Sequence, residues 1–170
     1  MKFEYVERAE QFMKEFLHYI DTDTSILSDA TALSEVIGRY NEAFDRDLCY
    51  DSGQTRHVLV YSDFVIKWDK GEERIKRFGG CENEVKMYDK AENMGMAYLL
   101  ARITPIEIGG LKFYVMPRVD YVAEADIYEY LTEQEIFWMD DNLGDIHSEN
   151  WGWIDDNVVI FDYACGVLFP

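Results

Sequence analysis

Two short stretches near the C-terminus, Gly144-Asp145-Ile146-His147-Ser148-Glu149-Asn150 and Val158-Val159-Ile160-Phe161-Asp162-Tyr163, hold residue types that can share one chemistry. The first places an aspartate five residues before an asparagine, and the second ends an apolar, strand-like run on another aspartate. In a phosphoryl-transfer site one carboxylate can orient a hydroxyl nucleophile. An amide oxygen and a second carboxylate can then hold Mg²⁺ against nucleotide phosphates. The same residues also read as a plain β-hairpin, Trp151–Ile154 and Val158–Asp162, turning at Asp155-Asp156-Asn157 with acidic ends. These residues alone leave both readings open.

The elements that must position them follow from periodicity. Phe3, Val6, Ala9, Met13, Phe16, Leu17 and Ile20 recur at helical spacing and predict an amphipathic helix over the first twenty residues. Asp21-Thr22-Asp23-Thr24 breaks it. A second helix is predicted from Ser28 or Asp29 to about Phe44, burying Leu33, Val36, Ile37 and Tyr40, and Asp45 to Gly53 reads as loop. From Arg56 the pattern turns to strands. His57–Tyr61 and Phe64–Trp68 flank a Ser62-Asp63 turn, and Thr104–Ile108 and Leu111–Met116 flank Gly109-Gly110, so both read as hairpins. A helix is predicted between them from Glu82 to Asn93, with one or two short helices between Tyr121 and Asn142. Strands in blocks with helices beside them give an α+β class.

At 170 residues the chain can build one real core, and 48% hydrophobic with 15% aromatic residues excludes a disordered chain. No apolar run approaches the ~18 residues of a membrane span. Met1-Lys2-Phe3-Glu4 does not read as a signal peptide. Cys49, Cys81 and Cys165 are odd in number and widely spaced, which predicts a reducing, cytoplasmic setting. Sixteen Lys and Arg against thirty-four Asp and Glu give a net charge of −18. Such a surface disfavours direct nucleic-acid binding and favours a cationic small molecule or a basic protein face. Plain solubility explains the same charge.

One further pair connects the two ends of the pattern. Lys67 ends the strand Phe64-Val65-Ile66-Lys67, from which an ammonium can project into a cleft, and Glu84 on the following helix can hold it by an ion pair. A lone lysine there would read as an edge charge guarding a strand. The informative feature is the order Gly53, Lys67, Glu84, Asp145, Asn150, Asp162.

That order resembles the protein-kinase-like superfamily, nearest to its aminoglycoside and small-molecule phosphotransferases and to short kinase-like proteins encoded by bacteriophages. The resemblance covers roughly 50–163. It implies a compact kinase-like fold with an antiparallel N-lobe sheet, a reduced helical C-lobe and two N-terminal helices. Residues 1–49 would be the helical segment and 50–170 the kinase-like domain. The Asp51–Thr55 segment around Gly53 would cover nucleotide phosphates, Lys67 would grip them, and Glu84 would pair with Lys67, with Glu82 as the alternative. In Val115-Met116-Pro117-Arg118-Val119-Asp120, the resemblance puts Met116 behind adenine, the Pro117 carbonyl on its amino group and the Val119 N–H on its ring. Proline costs nothing where only a carbonyl is needed. Asp145 would be the catalytic base or hydroxyl-orienting carboxylate, and Asn150 and Asp162 the Mg²⁺ ligands. His147 would be a positioning residue without a metal role.

The chain also departs from the pattern. Leu143 stands where this branch usually carries a histidine, and no arginine precedes Asp145. About twenty-five residues separate the hinge from the Asp145 loop, and eight follow Asp162, which predicts a shortened helical lobe without an activation segment. The leading expectation is an ATP- and Mg²⁺-dependent phosphotransferase. The alternative is a weak or inactive kinase-fold protein, phage-encoded, that occludes a basic, nucleic-acid-handling host protein through its acidic surface. Nucleotidyl transfer on the same fold is a third.

Overall fold

The computed structural model describes residues 3–21, 23–71, 75, 79–121, 127–143 and 150–163. Eight strands run in two sheets among these residues. The larger sheet has the order β1-β2-β3-β5-β4 and is antiparallel throughout. Its strands are β1 (Cys49–Ser52), β2 (Arg56–Val60), β3 (Phe64–Asp69), β4 (Thr104–Ile108) and β5 (Leu111–Pro117). The smaller sheet joins β6 (Asp120–Tyr121), β7 (Trp151–Ile154) and β8 (Asn157–Ile160). Helices α1 (Glu4–Tyr19), α2 (Ala30–Phe44), α3 (Cys81–Asn93) and α4 (Glu133–Asn142) complete the described frame. This is the α+β arrangement that the blocks of strands and helices predicted.

Strand alternation explains why the large sheet is buried on both sides. Successive side chains point to opposite faces. On β5, Phe113 and Val115 join Leu59, Phe64 and Ile66 in a core covered by α1 and α2, through Phe12, Met13, Phe16, Leu33 and Tyr40. Tyr114 and Met116 face the other way, into a second core with Met87 of α3, Trp138 and Met139 of α4, and Trp151, Val159 and Ile160 of the small sheet. Each large apolar side chain buried this way is worth about 1.5–3 kcal/mol. The N-terminal helices therefore cover one face of the large sheet and leave the other for the remaining elements.

Local chemistry fixes the element ends. The Asp29 carboxylate accepts from the Thr31 and Ala32 amides at 2.9 and 3.1 Å and starts α2. Thr132 and Glu135 form a reciprocal capping box at the start of α4. The Trp68 indole donates to the Leu27 carbonyl at 2.8 Å, pinning the turn between α1 and α2 onto the sheet.

Part of the expected loop from Asp45 to Gly53 is instead β1. Its residues, Cys-Tyr-Asp-Ser, lack the apolar alternation of a buried strand because β1 is an edge with mostly exposed side chains. The Asn41 side chain seats the chain entering it, bonding both the Leu48 amide and carbonyl. β6, only two residues long, was likewise unmarked in the sequence. Among the described residues no helix is long and apolar enough to cross a membrane.

Candidate functional site

Strand register builds the roof of the site. Residues directly opposite in an antiparallel pair share a face. Val58, Lys67 and Tyr114 form one row across β2, β3 and β5, and Val60, Val65 and Met116 form the next. These rows lie on the face away from α1 and α2. Below them is a cleft of about 490 Å³, a volume suited to a small molecule. Its lining includes Lys67, Met116, Pro117, Val119, Asn150 and Asp162, which come from β3, the end of β5, the segment into β6, and the two ends of the β7–β8 hairpin.

Lys67 is held by one carboxylate and one backbone carbonyl. Its ammonium donates to Glu84 Oε1 and Oε2 at 3.0 and 3.3 Å and to the Phe161 carbonyl at 2.8 Å. Glu84 is 0% and Lys67 5% exposed. Glu84 reaches Lys67 because α3 is tethered to the sheet at its first turn: the Cys81 amide donates to the Asp69 carboxylate at 2.9 Å. A Cβ at Gly80 would lie 2.7 Å from that same Asp69 oxygen, so a larger residue there would push the Asp69 side chain away from the cap. A first-turn position also sets the Glu84 carboxylate at the positive end of the helix. Glu82, the alternative partner, points elsewhere, pairing with Lys112 and accepting from the Tyr114 hydroxyl at 2.7 Å. Those hydrogen bonds lower the Glu82 pKa. The Cys81 thiol is buried and pushed well up, by desolvation first and then by Glu84 and Asp69, so it stays protonated and unreactive.

No local pattern in the sequence marks Arg56 as a site residue. It lies two residues before Val58 on the same face of β2, and it is 8% exposed. Its Nη2 donates to Asp162 Oδ1 at 2.6 Å, and its Nη1 lies 2.8 Å from Glu84 Oε1. That second contact is an ion pair without hydrogen-bond geometry, and Nη1 has no hydrogen-bond acceptor among the described residues. Burial works against the Arg56 charge, but Glu84 and Asp162 outweigh it and raise the guanidinium pKa. Arg56, Lys67, Glu84 and Asp162 thus form a quartet with two charges of each sign.

This pairing bears on the Mg²⁺ expected at Asn150 and Asp162. Both line the cleft and offer hard oxygen donors. Asp162 Oδ1, however, already accepts from a buried guanidinium. A cation on the same carboxylate would sit ~4 Å from that guanidinium, where like charges repel by about 4 kcal/mol per unit charge at an effective dielectric of ~20. With Arg56 in this place the pair does not fit a divalent ion.

The expected hinge lies where the chain passes from the large sheet to the small one. Met116 is buried, Pro117 and Val119 are half-buried, and β6 begins at Asp120. The Arg118 amide donates to the Asp63 carbonyl at 3.0 Å, tying this crossing to the β2–β3 turn. Gly152 of β7 makes the crossing possible. A Cβ there would meet the Asp120 carbonyl oxygen at 2.4 Å and Val119 Cγ1 at 2.7 Å.

Gly53 lies in the β1–β2 turn but outside the cleft lining, to which that hairpin contributes Asp51, Val58 and Val60. The Gly53 carbonyl accepts from the Lys70 ammonium at 2.6 Å, and a Cβ would find room at Gly53. Asp145 and His147 lie outside the described residues.

No family model matches the chain, and no curated protein does either. Among solved structures, a ternary complex of streptomycin, ATP and the aminoglycoside phosphotransferase APH(2")-IIa aligns at 14% identity with a TM-score of 0.30. The alignment covers 59% of this chain, which spans only 33% of that one. Likeness at this level carries no weight beside the geometry of the cleft.

Proposed function

We propose that this chain is a kinase-like phosphotransferase that binds ATP between the large sheet and the β7–β8 hairpin. One observation carries the reading: a single cleft gathers Lys67, Met116, Pro117, Val119, Asn150 and Asp162, with Lys67 anchored by a buried glutamate. Apolar Val58, Val60, Val65 and Met116 would hold the flat adenine ring, and the Pro117 carbonyl and Val119 amide would meet its polar edge. Lys67 would take the phosphates. Gly53 would serve as part of the hairpin tip that covers them.

In the transfer step an acceptor hydroxyl oxygen attacks the γ-phosphorus, and the bond to the β,γ-bridging oxygen breaks. The hydroxyl proton passes to the Asp145 carboxylate, and ADP leaves. The net charge of −18 suits a cationic acceptor, either an amino-sugar or a basic peptide.

The test is transfer of radiolabelled γ-phosphate from ATP to panels of both acceptor types, using wild type, Lys67→Met and Asp145→Asn. Label in an acceptor with wild type, and background with both variants, is the expected result. Equal labelling by all three proteins would overturn the reading.

A further inference from the structure

A second cavity lies between α1 and α2, the helices on the far side of the large sheet from the cleft. It encloses about 400 Å³ and is lined by Glu15, His18, Tyr19, Tyr40 and Phe44. Helical spacing brings these residues together: Glu15, His18 and Tyr19 share one face of α1, and Tyr40 and Phe44 share one face of α2. Tyr40, 2% exposed, is the floor, while Tyr19 and Phe44 are 36% and 52% exposed and stand open to solvent. The Tyr19 ring is at 83° to Tyr40 and 77° to Phe44, with centroids 5.1 and 5.6 Å apart. Rings set nearly at right angles make a corner, where one ligand atom can face more than one π surface. Those surfaces are negative and attract a cation.

The surroundings carry the same sign. Glu15 Oε1 accepts from the Gln11 side-chain amide at 2.8 Å, which holds the carboxylate without neutralising it. Burial first, and then the Glu15 charge, raise the Tyr40 pKa, so the carboxylate's field reaches the floor. Tyr19 and Phe44 are the last residues of their helices, whose carbonyl ends are negative, and neither last turn carries a lysine or arginine. Arg46, whose charge also reaches Tyr40, is engaged with the Tyr61 hydroxyl at 2.6 Å and is not a lining residue. A metal ion or bare ammonium would need several oxygen partners, and the lining offers one carboxylate amid ring carbons. An alkylated ammonium carries its charge beneath methyl groups and needs no hydrogen bonds.

We infer that Glu15, Tyr19, Tyr40 and Phe44 bind a small alkylated ammonium ion, of the class to which choline belongs. The site is separate from the nucleotide cleft, and neither reading depends on the other.

The experiment is titration of the whole chain, followed by calorimetry and proton NMR, in about 0.15 M NaCl to screen the net charge. The probes are choline and its uncharged isostere, in which a quaternary carbon replaces the nitrogen. Choline should bind with a Kd of about 1 mM or tighter, its N-methyl resonance moving upfield against the rings. The isostere should bind at least ~10-fold more weakly. Phe44→Leu and Tyr19→Leu keep the net charge and an apolar lining, and each should weaken choline about 3-fold or more. Both side chains are partly exposed, and an unchanged melting temperature certifies the fold. The comparison of choline with its isostere on wild type needs no variant at all. Equal affinity for the two probes would overturn the inference, since an apolar groove does the same. Choline binding that both variants leave unchanged, or no binding by a folded wild type, would overturn it as well.

Discussion

Replacing Glu84 by glutamine tests whether the buried quartet holds the sheet to α3. Glu84 is fully buried and faces two cations, Lys67 at 3.0 Å and Arg56 at 2.8 Å. Glutamine keeps the size but removes the charge, leaving both cations opposite Asp162 alone. Breaking a buried ion pair by removing one partner costs about 3–5 kcal/mol, because the orphaned charge stays buried. With Lys67 left uncompensated and Arg56 losing one of its two carboxylates, the upper half of that range is expected. For a chain of this length each kcal/mol moves the melting temperature by about 2–4 °C, so Glu84→Gln should melt about 8–20 °C lower. Thermal unfolding followed by circular dichroism, with urea midpoints as a check on the free energy, reads this directly. Adding Lys67→Met to Glu84→Gln restores charge balance, since Arg56 and Asp162 then neutralise each other. The double variant should recover ~0.5–3 kcal/mol relative to the sum of the single losses. A Glu84→Gln protein within about 1 kcal/mol of wild type, or strict additivity in the double variant, would mean that the quartet does not hold α3 to the sheet.

Two further outcomes follow from particular residues. Gly152→Ala forces a Cβ against the Asp120 carbonyl, so it should cost about 1–3 kcal/mol in urea unfolding and weaken adenosine binding as the Val119 segment shifts; unchanged adenosine affinity would detach the hinge from the site. His57 is buried beside Trp68, and burial first, then Lys70, lowers its pKa from 6.5 to about 4. Between those values the unfolded chain binds a proton that the folded chain does not, so stability should fall as pH drops from 6.5 to about 4, by at most ~1.4 kcal/mol per pH unit. His57→Gln should flatten that slope, and an unaltered urea–pH profile in the variant would dismiss His57 as its source.

What the sequence reveals of this fold depends on whether the signal is local. Leu33, Val36, Ile37 and Tyr40 repeat at helical spacing, and all four are buried along α2. The alternation in Phe64-Val65-Ile66-Lys67 gives β3 and the face of Lys67, and Glu84 is reachable because helix α3 follows at a short interval. Arg56 was illegible for the opposite reason. An arginine at a strand start reads as an exposed edge charge, and its partner Asp162 lies 106 residues away. Gly152 reads as a weakness within a strand until the Asp120 carbonyl beneath it is known. The apolar pattern of α1 announces that it packs, but only the sheet's other face, taken by α3 and the β7–β8 hairpin, determines where. That same choice decides that Val58, Val60 and Val65 roof a cleft rather than fill a core.

An adenine nucleotide is the proposed occupant of this cleft, and a methyl NMR titration of the valine- and methionine-labelled chain with ATP tests it. Nucleotide in the cleft should give saturable shifts in Val58, Val60, Val65, Met116 and Val119, with Val6, Met13 and Val36 of the opposite core unmoved. Shifts absent from the cleft methyls at saturating ATP, or spread evenly over both cores, would contradict it.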